Sequence, residues 1–289
     1  MSGAVLLGVD WGSSSLRAFR IAADASIVEA RRTADGVFAG SGPFDARLRA
    51  LLGDWLDDGL PILLCGMIGS DRGWVHAPYV PAPAGADDLA AAFVRAPFDH
   101  SAWIVPGVCL AEGETRDVMR GEETLLFGLS APSDRATVCL PGTHSKWADI
   151  AAGRITGFRT YMTGEVRAAL LERGALAVGV AQQPSAAAFA QGAAAAVQGV
   201  TRALFQARAR RLLGTLAPEH SAAFVDGVLI GDEVARESTG PLILAARGAI
   251  AESYAAVLTR CGRAVTVIDP EPLAARGLLR LARQAGIAA

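Results

Sequence analysis

Asp10 closes an apolar run, Ala4 to Val9, and is followed by Gly12, three hydroxyls (Ser13, Ser14, Ser15) and Arg17. The run reads as a short buried strand and Leu16 to Ile21 as its returning hairpin partner. A turn of this kind gathers backbone N–H groups and hydroxyls around a concavity that suits phosphate oxygens. A carboxylate at the strand end can hold Mg²⁺, directly or through water, because magnesium takes few carboxylates and keeps waters and phosphate oxygens. Arg17 adds a fixed positive charge. Taken alone, Asp-x-Gly-Ser fits an ordinary hairpin turn equally well.

The pattern recurs. Thr137 to Leu140 reads as a strand, followed by Pro141-Gly142-Thr143-His144-Ser145-Lys146 and a second strand around Trp147 to Ile150. Both turns run glycine, hydroxyl, any residue, serine, then a cation. Two halves that each open with such a hairpin predict two domains with a ligand cleft between them, a common place for small molecules. No Gly-x-x-x-x-Gly-Lys-Ser/Thr and no Gly-x-Gly-x-x-Gly run is present, which excludes a P-loop and the dinucleotide fingerprint.

The elements that must position these turns follow from periodicity. Ile27 to Thr33 is a third strand. Leu48, Leu51, Leu52, Trp55 and Leu56 recur at helical spacing, with Pro43 before the helix and Gly59 after it. Ile62 to Cys65 is a buried strand leading into Gly66-Met67-Ile68-Gly69-Ser70-Asp71-Arg72-Gly73-Trp74. Glycines there let backbone approach a ligand, and Trp74 and Tyr79 are unusual company for solvent; the alternative is a plain surface loop. Trp103 to Val105 is a further strand, ended by Pro106-Gly107. Asp117 to Gly128 carries Glu122 and Glu123 beside the apolar Leu125, Leu126 and Phe127, and such a pair of carboxylates at a helix start is ordinarily just favourable placement against the helix dipole. In the second half, Arg154 to Tyr161 is a strand and Thr163-Gly164-Glu165 opens a helix. Helical patterns run from Pro184 to Leu213 and from Pro218 to Leu229. Strand Leu242–Ala245, helix Ile250–Cys261, strand Ala264–Ile268 and helix Leu273–Ala285 complete the order.

Composition narrows the classes. The 289 residues are 52% hydrophobic and 19% charged, enough for a sizeable core, and two domains are the expectation. A net charge of −2 leaves no electrostatic footprint for nucleic acid or an anionic membrane. The four cysteines are scattered, with no Cys-x-x-Cys pair, so neither a metal site nor a disulfide framework is expected. No signal-peptide pattern or membrane-length apolar run is seen, and a soluble, cytoplasmic protein is expected. The oligomeric state is left open, a homodimer included.

Asp10-x-Gly12-Ser13-x-Ser15-x-Arg17 resembles the first phosphate motif of the sugar kinase, actin and heat-shock chaperone superfamily, and Pro141 to Trp147 resembles the second. More narrowly, the chain resembles the 2-dehydro-3-deoxygalactonokinase family along essentially its whole length. Gly66 to Ser70 with Gly73-Trp74, Val118 to Thr124, Phe158-Arg159-Thr160, Met162 to Glu165 and Leu229 to Val234 carry the likeness.

The resemblance implies an α/β fold of two ribonuclease-H-like, actin-like ATPase domains with ATP and substrate in an interdomain cleft. The division expected is 1–115, with the first phosphate motif and the substrate loop, and 116–289, with the second motif and the nucleotide-binding regions. It implies ATP-dependent phosphorylation of the 6-hydroxyl of 2-dehydro-3-deoxy-D-galactonate in galactose or galactonate breakdown. Asp10 is assigned to Mg²⁺, and Gly12, Ser13, Ser14 and Ser15, with Gly142, Thr143 and His144, to the phosphates of ATP. Arg17 and Lys146 are the charge stabilisers. Glu122 is the candidate base, with Glu123 and Asp117 as substitutes. Met67, Ile68, Gly69, Ser70 and Trp74 form one substrate wall, and Thr163 and Glu165 bind hydroxyls. Arg159, Arg167 and Arg72 are candidates for the substrate carboxylate. The stretch from Gly227 to Gly231 is read as an adenine-side loop. The rival readings are a kinase of another sugar or sugar acid, and an ATP-gated binding protein of the same superfamily.

Overall fold

A computed structural model describes residues 3–113, 115–129, 135–173, 175–177, 179–237 and 240–289. The first part of the chain forms β1 (Ala4–Trp11), β2 (Leu16–Ala22), β3 (Ile27–Thr33), α1 (Phe44–Leu52), β4 (Ile62–Gly66), β5 (Tyr79–Pro81) and α2 (Ala86–Ala91). It continues with β6 (Val94–Arg95), β7 (Ala102–Ile104), β8 (Gly107–Leu110), β9 (Asp117–Met119) and α3 (Glu122–Phe127). Then follow β10 (Arg135–Leu140), β11 (Ser145–Ala151), β12 (Arg154–Tyr161), α4 (Thr163–Glu172), α5 (Ala186–Ala195) and α6 (Val200–Leu212). The last elements are α7 (Ser221–Ala235), β13 (Leu242–Ala245), α8 (Gly248–Arg260), β14 (Val265–Ile268) and α9 (Pro270–Gln284).

Two sheets share one plan. The first runs β3-β2-β1-β4-β7-β6 and the second β12-β11-β10-β13-β14. In the first, β1 pairs antiparallel with β2 and parallel with β4, so Asp10 lies opposite Arg17 on one side and Cys65 on the other. In the second, β10 pairs parallel with β13, and β13 with β14. The hairpin repetition legible in the sequence is thus a repetition of topology. A small third sheet, β5-β8-β9, was not expected; its strands are three or four residues long and carry little periodic signal.

Strand β1 is apolar almost throughout because both its faces are covered. Leu7, Val9 and Trp11 share a core with Leu48, Leu52 and Trp55. On the other face Gly8 makes room for α9: a methyl there would lie 2.7 Å from Leu278 Cδ1. Each fully buried Leu or Val contributes about 1.5–3 kcal/mol, so this stack fixes the strand that carries Asp10.

Contacts divide the chain into two compact units. One comprises Met1–Ala136, Ala148–Arg159 and Asp269–Ala289; the other comprises Thr137–Trp147 and Thr160–Ile268. The division does not fall at residues 115/116, because α3 and α9 pack together within the first unit. Their backbones approach so closely that a methyl on Gly277 would lie 1.8 Å from the Thr124 carbonyl oxygen.

Helix α3 begins at Glu122, as the carboxylate pair Glu122-Glu123 suggested, after Gly121, whose φ of +108° suits glycine, and Asp117–Met119 before it is strand. Two local expectations change. The pattern from Pro184 to Leu213 is two helices, broken at Gly199 with φ +90°. The second concerns Gly227 to Gly231, which lies inside α7 rather than in a loop. A methyl on Gly227 would lie 2.0 Å from the Phe189 carbonyl oxygen and one on Gly231 3.0 Å from Ala193 Cα, so these glycines let α5 and α7 touch.

Candidate active site

In the first unit, the ends of β1 and β4 and the start of α3 converge. Asp10 Oδ2 accepts a hydrogen bond from Arg17 Nη2 at 2.5 Å, across the hairpin register. Gly66, with φ +90°, ends β4; a methyl there would lie 2.8 Å from the Trp11 carbonyl oxygen and 3.4 Å from Asp10 Oδ1. A methyl on Gly121 would in turn lie 3.2 Å from Gly66 Cα. The end of β1, the end of β4 and the start of α3 are therefore packed in series, Gly66 against Asp10 and Gly121 against Gly66.

The hairpin turn is held from behind. Gly12 N–H donates to the Ser15 carbonyl, while the Gly12 and Ser13 carbonyls accept from Val37 and Phe38 N–H. Ser13, Ser14 and Ser15 stay exposed, so their hydroxyls are available to a ligand.

Two adjacent glutamates differ sharply. Glu122 is half-buried and its Oε2 accepts the Arg120 backbone N–H at 3.0 Å. Glu123 is fully buried, and both its oxygens accept the Gly121 N–H, at 2.7 and 2.8 Å. Burial, and then the neighbouring Glu122 charge, push its pKa up to about 8. Asp117 accepts the Val118 N–H at the start of β9.

The Gly66–Trp74 stretch divides between core and cavity. Ile68 is fully buried in the core, Gly69 is buried against Ile104 and Ala77, and Trp74 stacks among Phe44 and Phe98 at ring separations of 6.5 and 5.9 Å. The Ile68 side chain is therefore closed off from any substrate, whereas Trp74 is only half-buried at the edge of the core. Met67 and Ser70 do line a cavity of about 260 Å³, together with Phe38, Asp71, Arg72, His76, Tyr79 and Arg120. Tyr79, singled out in the sequence as unusual company for solvent, opens β5 of the small sheet, and Arg120 directly follows β9, too short a strand to carry a periodic signal that would mark it.

In the second unit, the turn from Gly142 to Ser145 lies against the start of α4. A methyl on Gly164 would lie 2.5 Å from the Gly142 carbonyl oxygen, and Glu165 N–H donates to the Thr143 carbonyl at 3.0 Å. His144 Nε2 and Glu165 Oε2 pair at 2.5 Å, each about half exposed. Lys146 is buried, 4% exposed, at the start of β11. Thr163 Oγ1 donates to Glu233, which also accepts from Trp147 Nε1 and Tyr254 Oη. The two side chains expected to bind hydroxyls, Thr163 and Glu165, are thus engaged with Glu233 and His144.

A second cavity of about 260 Å³ adjoins this turn, lined by Gly142, Gly164, Leu229, Ile230, Ile250 and Ser253 among others. The last two come from α8, whose first residue, Gly248, has φ +61°. That strand–glycine–helix junction is legible in the sequence from Ala245 to Ile250.

The profile of the family described as 2-keto-3-deoxy-galactonokinase matches residues 10–281. The chain belongs to that family. It is 36% identical over 233 residues to 2-dehydro-3-deoxygalactonokinase of Escherichia coli (strain K12), covering 79% of each protein. A crystal structure of a Sinorhizobium meliloti protein assigned as a 2-dehydro-3-deoxygalactonokinase superposes with a TM-score of 0.89 at 33% identity, over 96% of each chain. The activator of 2-hydroxyisocaproyl-CoA dehydratase from Clostridium difficile, with bound ADPNP, is alike in fold alone. Its TM-score is 0.53 at 12% identity, over 97% of this chain and 96% of that one. The ribonuclease-H-like, actin-like α/β architecture that the family resemblance implied is borne out. As a member of a kinase family the protein is a phosphotransferase with ATP as cosubstrate. Among the described residues no helix is long and apolar enough to cross a membrane.

Proposed function

We propose that the protein transfers the γ-phosphoryl group of ATP to the 6-hydroxyl of 2-dehydro-3-deoxy-D-galactonate, in the cytoplasm, as a step of galactose or galactonate breakdown. The observation that carries this is the convergence of Asp10, Gly66 and Gly121-Glu122 in one unit of a chain that matches the family from residue 10 to residue 281.

Phosphoryl transfer is mainly positioning and charge neutralisation, because the transition state spreads charge over the transferred oxygens. Asp10 is the residue that would hold Mg²⁺. Among the described residues no group of three or more His, Cys, Asp or Glu side chains could cage a metal. A single carboxylate beside a phosphate-type turn is the donor set magnesium uses when phosphates and waters complete its shell. When bound, the ion would neutralise charge on the phosphate oxygens. Ser13, Ser14 and Ser15 offer N–H and hydroxyl donors to the phosphates, with Gly12 shaping their turn through its own N–H bond to the Ser15 carbonyl, and Gly142, Thr143 and His144 offer donors from the second turn. Arg17 and Lys146 supply positive charge.

Glu122 acts as the base that accepts the proton of the attacking hydroxyl. Its half-exposed position at the start of α3 supports this choice over Glu123, which is sealed inside. Adenosine occupies the cavity between α7 and α8, where Leu229, Ile230 and Ile250 present apolar surface beside the Gly142 turn. The sugar acid occupies the cavity beside Met67 and Ser70.

The deciding experiment is ADP release with Mg²⁺ and ATP in the presence of 2-dehydro-3-deoxygalactonate, with its gluconate epimer in parallel. Turnover with the galacto acid alone bears the proposal out. Turnover with both widens the pathway, and silence with both, from folded ATP-binding protein, overturns it.

A further inference from the structure

Arg120 is 8% exposed. One of its donors is engaged, Nη2 to the Ala77 carbonyl at 2.8 Å, and its Cζ lies 4.2 Å over the Tyr79 ring. Its Nε and Nη1 are shielded from solvent and have no partner. Buried donors are almost always paired, and a buried charged one left alone is costly, so this guanidinium calls for an acceptor.

Its surroundings indicate which acceptor. Arg120 lines the cavity that also presents Met67, Ser70, Arg72, His76 and Tyr79. The cavity's carboxylate, Asp71, pairs with His76 at 2.6 Å, and Arg72 lies over Phe38, 4.2 Å from Cζ to centroid. Two guanidinium groups thus stand in a cavity whose carboxylate already has a cationic or hydrogen-bonding neighbour. Gly69 gives Arg120 its place: a methyl there would lie 3.0 Å from Nη1 and 3.1 Å from Ala77 Cβ. The other candidate arginines are bound elsewhere, Arg159 to Asp149 at 2.6 Å and Arg167 to Asp226 at 2.5 Å.

Building on the sugar-acid kinase reading above, we propose that Arg120 binds the carboxylate of the substrate and sets the selectivity of this kinase for sugar acids over neutral sugars. The ring of Tyr79 holds the guanidinium in place, and Arg72 adds a second, exposed charge. A carboxylate is the ligand of choice, since charge-assisted hydrogen bonds from arginine are about twice as strong as neutral ones.

The test compares kcat/KM for 2-dehydro-3-deoxygalactonate with that for its methyl ester, in the wild-type protein and in Arg120→Met. The wild type should prefer the free acid, and the variant should lose roughly ten- to hundredfold of that preference, with the ATP KM as control. Arg120→Lys, which keeps a cation beside Tyr79, gives an intermediate ratio and serves if Arg120→Met does not fold. An unchanged acid-to-ester ratio in either folded variant, or a wild type that does not distinguish acid from ester, overturns the proposal. Absence of wild-type turnover with the acid instead marks failure of the kinase reading itself, which separates the two.

Discussion

The indole Nε1 of Trp147 donates to Glu233 Oε1 at 2.7 Å, with both side chains buried. The same carboxylate takes the Tyr254 hydroxyl at 2.9 Å and the Thr163 hydroxyl, and Tyr254 Oη meets Ser145 Oγ at 3.0 Å. One acidic group therefore ties β11, α4, α7 and α8 together behind the Gly142 turn. Burial pushes its pKa up, and the hydrogen bonds from Thr163, Trp147, Tyr254 and Ser145 pull against that.

Glu233→Gln replaces one acceptor oxygen with an NH₂ donor that faces other donors and leaves at least one of them unpaired. Stability should fall by about 1–3 kcal/mol, read by urea denaturation. Because Thr163 and Tyr254 both line the α7–α8 cavity, the KM for ATP should rise more than that for the sugar acid.

Asp10→Asn should nearly abolish turnover, by at least roughly a hundredfold, with little change in melting temperature. Titration of the residual rate with Mg²⁺ should show weakened metal dependence. A folded variant with ordinary activity would remove the metal role from Asp10.

Glu122→Gln should lower kcat by roughly 10²–10⁴-fold while leaving the KM for the sugar acid nearly constant. A loss confined to KM would assign Glu122 to binding.

Glu123 has a folded pKa of about 8, raised by burial above its ordinary value of 4.5. It folds in protonated, so its contribution to stability is complete below the unfolded pKa and is lost as pH rises through about 8. The wild type should lose stability across that window, and Glu123→Gln should remove this part of the loss. Melting temperature measured from pH 5 to pH 9 in both proteins decides it.

Gly227→Ala forces a methyl to within 2.0 Å of the Phe189 carbonyl oxygen. Overpacking of this kind costs about 1–3 kcal/mol, so thermal stability should fall. The ATP KM of the folded fraction should hardly move; a selective rise would show that Gly227 itself, and not only its neighbours Leu229 and Ile230, shapes the nucleotide site.

The two hairpins, the order of the main strands and helices, and the turns beside Asp10, Gly142 and Glu122 are legible in the chain alone. These are local signals, in which apolar periodicity marks a buried face and a glycine or proline marks its end, and they agree with the family match across residues 10–281. What tertiary structure decided lies between residues far apart. Trp147 and Glu233 are 86 positions apart, and Arg120 meets the Ala77 carbonyl across 43. Gly227 and Gly231 looked like a loop because glycine signals freedom equally well in a turn and at a helix crossing. Only the approach of α5 told the two apart. Ile68 shares a motif with Met67 and Ser70, yet packing buries it fully in the core while the other two line a cavity. A side chain's type is written in the chain; which neighbour satisfies its charge, donor or volume is settled by packing.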